Sequence, residues 1–104
     1  MAATPLTSTE LDQALAGLTG WSIQDGKLTA TFEADRSAVP AFYAAVAKAE
    51  DETNHHVEVT VLYGTIGFAL NTHDAGAAIT ALDTAMAARL TTLATEHGAH
   101  PATG

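Results

Sequence analysis

The sequence contains no cysteine. This excludes a disulfide framework, a thiolate metal site and thiol catalysis. Basic residues are also scarce, with four Lys plus Arg against twelve Asp plus Glu and a formal net charge of −8. A nucleic-acid backbone is gripped by a basic face, so direct nucleic-acid binding is not expected. Charged residues of both signs reach only 15 %, below the usual figure of about 25 %. No run approaches the roughly 18 continuous apolar residues of a membrane span. The opening Met1-Ala2-Ala3-Thr4-Pro5-Leu6 has no basic segment leading into an apolar one, so no signal peptide is expected. With neither a signal peptide nor a membrane span expected, a cytoplasmic protein without a membrane partner is expected; the missing cysteines say little about compartment.

What is present is small and apolar. The 104 residues suit a single domain spanning residues 1–104, and 47 % of them are hydrophobic. Twenty-three are alanine, which buries little area per residue. Part of the apolar surface is therefore expected to be covered by another copy of the protein. The ordered core is expected over about 6–96. The tail 97–104, rich in small residues and breakers, is expected to be flexible.

Spacing and punctuation predict seven elements. Thr7 and Glu10 make a capping box for a helix over Ser8 to Ala16. Asp25-Gly26 is a hairpin turn between strands over Trp21–Gln24 and Lys27–Ala34. A second helix is expected over about Ala38 to Glu52, with Pro40 in its first turn and Val39, Phe42, Tyr43 and Val46 on one face. Its C-terminal acids Glu50-Asp51-Glu52 sit where the macrodipole favours cations, a slightly destabilising placement that needs either tolerance or a function. A second hairpin spans about Val57 to Asn71. Val57, Val59, Val61 and Tyr63 are expected on one face of its first strand, and Ile66, Phe68 and Leu70 alternate in its second. Thr80 and Asp83 start a last helix with a stripe of Leu82, Met86, Leu90 and Leu93. The expected fold class is α+β, a four-stranded antiparallel sheet with three helices on one face in the order α-β-β-α-β-β-α.

Three of the five histidines flank the second hairpin: His55 and His56 enter it and His73 leaves it. A turn centred on Gly64 places His55 opposite His73. A slip of one residue brings in His56 or Thr72 instead. Imidazoles gathered at one end of a hairpin can donate and accept protons near neutrality. The same three also count correctly for an open zinc site. Adjacent strand residues point to opposite faces, however, so His55 and His56 converge on one ion only if their segment is irregular. No metal ligand is assigned.

The segment Asp51-Glu52-Thr53-Asn54-His55-His56 resembles the acidic-x-x-x-His-His motif of the pterin-4a-carbinolamine dehydratases. Asn71-Thr72-His73-Asp74 resembles that family's Thr-His-acidic segment. The eighteen-residue step from His55 to His73, the Gly20-Trp21 entry and the element order are similar too. The resemblance covers roughly Leu6 to Leu93. Two positions depart from it. Val57 stands where the family usually has proline. Leu82 stands where it usually has an acid, with Asp83 one position later, as one extra loop residue near Ala77 or Ala78 would produce.

The resemblance implies loss of water from a 4a-hydroxytetrahydropterin to give quinonoid dihydropterin, in tetrahydrobiopterin recycling. It implies neither metal nor organic cofactor. His55 and His73 would share the acid and base work, with His56 anchoring the pterin and Asp83 completing the catalytic set. Asp51 would orient an imidazole. Asn54, Asn71, Thr72 and Asp74 would bind the polar edge of the substrate. A homodimer or homotetramer is implied as partner. The alternative is a catalytically inactive module of the same fold, acting through protein–protein contacts.

Overall fold

The protein is described by a computed structural model covering residues 4–102. Helix α1 (Ser8–Ala16) is followed by strands β1 (Ser22–Gln24) and β2 (Lys27–Glu33). Helix α2 (Val39–Thr53) leads into strands β3 (Glu58–Leu62) and β4 (Thr65–Leu70). Helix α3 (Ala81–Glu96) and a short strand β5 (His100–Pro101) follow.

The antiparallel sheet runs β1-β2-β4-β3, with β5 also paired to β2. It thus has five strands and not the expected four. The extra one comes from the tail expected to be flexible. His100 and Pro101 pair with Glu33 and Phe32, and Ala102 N–H donates to Thr31 C=O at 2.8 Å. The cause is the length of β2, which outruns the three-residue β1 and leaves backbone groups open for the returning segment.

Local chemistry accounts for the elements. The box at α1 forms, with Thr7 N–H donating to Glu10 Oε1 at 2.9 Å and Glu10 N–H to Thr7 Oγ1 at 3.2 Å. Asp25 and Gly26 take the left-handed conformation (φ 53° and 77°) that a two-residue hairpin turn needs. In the second hairpin Leu62 pairs with Thr65, so the turn is Tyr63-Gly64, one residue from the expected register. Gly64 is required there by space. A Cβ on it would lie 2.5 Å from the carbonyl oxygen of Ala34.

The helices cover one face of the sheet. Leu28, Ala30 and Phe32 of β2 and Ile66, Phe68 and Leu70 of β4 pack with Phe42, Val46 and Ala49 of α2 and Met86, Leu90 and Ala94 of α3. Alanine lets these helices approach closely, and four aromatic rings supply the bulk. Trp21, Phe32, Phe42 and Phe68 pack with centroids 6.0–6.4 Å apart. Three expectations about faces fail. Tyr43 is exposed, because the buried face of α2 runs through Val39, Phe42, Val46 and Ala49. Leu82 is 47 % exposed, because the buried stripe of α3 runs through Asp83, Met86, Ala87, Leu90 and Ala94 and leaves Leu82 on the outer side. Of the set expected on one face of β3, only Val57 and Val59 pack on the core. Val61 is exposed because β3 is the edge strand, although its partner Ile66 on β4 is buried, and Tyr63 lies in the turn.

Phe68 touches the other three aromatics of the cluster. Phe68→Ala is expected to lower the unfolding free energy by about 3–5 kcal/mol. Chemical denaturation measures this, and a loss below about 1 kcal/mol would contradict the packing described.

Candidate active site

The histidine pair is placed by the way α2 ends. Asn54 adopts φ 51°, ψ 39°, a conformation asparagine tolerates better than most residues. His55 N–H then donates to Glu50 C=O at 3.1 Å, and Asn54 N–H to Asp51 C=O at 3.4 Å. This is a Schellman-type helix end, which reverses the backbone and carries His55 inward. His55 is 9 % exposed.

The Asp83 carboxylate, 0 % exposed, receives it. His55 Nε2 lies 2.7 Å from Asp83 Oδ1. Oδ2 of the same carboxylate accepts from Thr80 N–H at 2.9 Å and from the Thr72 hydroxyl at 2.8 Å. Thr72 has one hydroxyl proton, given to Asp83, so Thr80 supplies the proton of the 2.6 Å Thr72–Thr80 contact. Thr80 Oγ1 in turn accepts from Leu82 N–H at 3.2 Å. A carboxylate only accepts, so Nε2 of His55 carries its proton toward Asp83. Nδ1 remains for solvent or substrate, and among the described residues no buried side-chain polar atom lacks a partner. Asp83 therefore does two things. It completes the capping box at the N-terminus of α3, and it fixes the orientation and tautomer of His55.

The other expected site residues are placed less uniformly. His56 is exposed, with Nε2 3.9 Å from Asp51 Oδ1. Asp51 thus faces His56, while the carboxylate that orients His55 is Asp83. His73 and Asp74 lie exposed in a single 3₁₀ turn (His73–Ala75). Asn71 is half-buried at the end of β4. The expected facing of His55 and His73 does not form. The β3–β4 ladder stops at Glu58 and Ala69, and with its register shifted by one residue it is Thr72 that reaches His55, through Asp83. Thr72 is buried, with its hydroxyl taken by Asp83 and Thr80, so it supports the site from beneath. Its N–H and C=O close the loop above by bonding Ala78 C=O and Ala77 N–H. Ala77 holds φ 66°, unusual for alanine, in the stretch where an extra loop residue is expected. Among the described residues, no group of three or more His, Cys, Asp or Glu side chains is placed to hold a metal ion.

Two further residues belong to the site: Glu50, noted in the sequence only for its place at the helix end, and Arg89, which carries no sequence signal. Glu50 is buried and its carboxylate accepts from Val57 N–H at 2.9 Å. Its sequence signal is the acid at the unfavourable end of α2. Arg89 pairs with Glu52 across α2 and α3. Together with Thr53, His55, Leu82, Ala85 and Met86, Arg89 lines a cavity of about 180 Å³ on the open side of His55. A larger hollow of about 470 Å³ lies on the uncovered sheet face, lined by residues such as Thr29, Thr31, Thr60 and Gly67. The one ionisable residue lining it is Glu58, which pairs with Lys27 at 2.8 Å, and no imidazole faces it, so the cavity beside His55 is the candidate site.

A family model described as pterin 4 alpha carbinolamine dehydratase matches residues 4–93. The protein belongs to that family. A Streptomyces coelicolor protein carrying the provisional name pterin-4-alpha-carbinolamine dehydratase is 40 % identical over 101 residues, covering 96 % of this sequence and all (100 %) of that protein. A Streptomyces avermitilis protein with the same provisional name is 35 % identical over 96 residues, covering 91 % of this sequence and 95 % of its own. A crystal structure from Brucella melitensis, described as a transcriptional coactivator/pterin dehydratase, superposes with a TM-score of 0.81 at 32 % identity. The match covers 86 % of this protein and 98 % of that one. As a member of the dehydratase family, the protein shares the α+β fold and carries a buried His–Asp pair beside an open cavity.

The Asp83 network predicts a contrast in stability. Asp83→Ala leaves the Thr80 amide, the Thr72 hydroxyl and His55 without their acceptor. It is expected to cost about 3–5 kcal/mol in unfolding free energy. His73→Ala removes an exposed side chain and is expected to change stability by less than about 0.5 kcal/mol. Equal losses in the two variants would contradict this placement.

Proposed function

We propose that the protein removes water from a 4a-hydroxytetrahydropterin, giving the quinonoid dihydropterin, by histidine acid/base catalysis in tetrahydrobiopterin recycling. The observation that carries this reading is the buried His55–Asp83 pair beside a cavity, in a member of the dehydratase family.

The reaction breaks the C4a–O bond and forms a C4a=N5 double bond. The oxygen leaves as water and needs a proton. The adjacent N5 loses its hydrogen and needs a base. No electrons enter or leave the pterin, so the catalytic task is proton transfer and orientation. His55 suits this task because Asp83 holds its Nε2–H and directs Nδ1 outward. A positive imidazolium formed during turnover would be stabilised by the buried carboxylate, as in other His–carboxylate pairs. His73, on the loop beyond Thr72, supplies the second proton-transfer group. His56, exposed beside Asp51, anchors the polar edge of the pterin together with Asn54, Asn71 and Asp74. The small core and the exposed Val61, Leu62 and Tyr63 support assembly as a homodimer or homotetramer. The name of the Brucella protein joins dehydratase to coactivator. The presence of all three histidines here supports the enzymatic reading over an inactive module.

The test is a dehydration assay on 4a-hydroxytetrahydropterin. Wild type is expected to exceed the solvent rate. His55→Ala and His73→Ala are expected to lower kcat by about 10²-fold or more. His56→Ala is expected to raise KM with a smaller change in kcat. A wild-type rate equal to that of solvent overturns the proposal.

A further inference from the structure

Glu50 makes two bonds that bracket the histidine pair. Its backbone carbonyl accepts the N–H of His55 at 3.1 Å, and its carboxylate Oε2 accepts the N–H of Val57 at 2.9 Å. Between those two amides lie only His55 and His56. The carboxylate is buried, with the residue 8 % exposed, although it stands at the C-terminal end of α2, where the macrodipole disfavours an anion. A buried acid at that end persists only if it finds a strong donor, and the Val57 amide is the one it finds. That amide exists because residue 57 is valine. A proline there would hold the strand entry through its ring and would offer no N–H.

We infer that Glu50 is a positioning residue that locks the His55–His56 segment, replacing by a charge-assisted hydrogen bond the stiffness that a proline at position 57 would supply. This deepens the dehydratase reading and rests on it for its effect on activity. Glu50 lines neither the cavity nor the Asp83 network, so it acts through the backbone of the two histidines. The pair Glu50 and Val57 is a unit: each without the other leaves a buried polar group unpartnered, a carboxylate in one case and an amide in the other.

The experiment is a mutant cycle on the full-length protein with Glu50→Gln, Glu50→Ala, Val57→Pro and the double variant Glu50→Ala/Val57→Pro. Each variant is assayed for dehydration per folded molecule, and amide hydrogen exchange is measured at Val57 in the variants that keep valine. Glu50→Gln keeps an acceptor and is expected within about threefold of wild type in kcat. Glu50→Ala and Val57→Pro are each expected to lower kcat by about tenfold with KM nearly unchanged. The double variant is expected to recover to within about threefold of wild type, because neither orphan group remains. Protection of the Val57 amide is expected in wild type and Glu50→Gln and is expected to fall at least about tenfold in Glu50→Ala.

A Glu50→Ala enzyme with wild-type kcat overturns the inference. So does a double variant whose loss is the product of the two single losses. If Glu50→Ala loses stability but keeps its activity per folded molecule, Glu50 is structural only and the positioning role is refuted. If wild type shows no dehydration at all, the functional proposal fails and Val57 exchange decides the clamp alone. Unchanged protection in Glu50→Ala then rejects the clamp, and lost protection supports it.

Discussion

A carboxylate cannot be buried alone. Taking an ionised group out of water costs several kcal/mol unless donors replace its hydration. Asp83, fully buried, gathers those donors from three parts of the sequence: Thr80 at the start of α3, Thr72 just past β4, and His55 just past α2. Meeting that requirement ties the second hairpin's exit to both long helices. It also fixes which nitrogen of His55 is free. One electrostatic demand thus sets the position of the helix, the closure of the loop and the tautomer of the imidazole.

The two buried acids sit at opposite helix poles and are reconciled differently. Asp83 occupies the third position of α3, where amides point toward it and the dipole is favourable. Glu50 occupies the last turn of α2, where the dipole is unfavourable, and it is satisfied by an amide outside the helix. Between them they hold both ends of the His55–His56 segment: Asp83 by the side chain of His55, Glu50 by the backbone on either side. The preceding Asn54 in the left-handed conformation makes the turn that permits this. An exposed loop could not hold the ring this closely, because each histidine would be free to rotate.

Much of the fold was legible because its signals are local. The capping boxes at Thr7 and Thr80, the Asp25-Gly26 turn and the alternation of Ile66, Phe68 and Leu70 are each readable over a few residues. The fifth strand was not, because His100 and Pro101 carry no alternation and pair only because β2 outruns β1. The register at Tyr63-Gly64 was missed by one residue, since it depends on the approach of Ala34 to Gly64 from a distant part of the sequence. That single step replaced His73 by Thr72 as the neighbour of His55. The motif residues His55, His56 and His73 were visible in the sequence. The partnership of His55 with Asp83 spans 28 residues and two elements, and no local spacing announces it. Glu50 was visible only as an acid at the wrong pole of a helix.

Everything proposed for the site depends on Asp83 holding the Nε2 proton of His55 and leaving Nδ1 bare for the pterin. Nitrogen-15 NMR of the imidazole rings at neutral pH tests this directly. Neutral His55 is expected to be the Nε2–H tautomer, with that proton shifted downfield by its bond to Asp83, and Asp83→Ala is expected to abolish the shift. A His55 ring found as the Nδ1–H tautomer, or one unaffected by loss of the carboxylate, would contradict it.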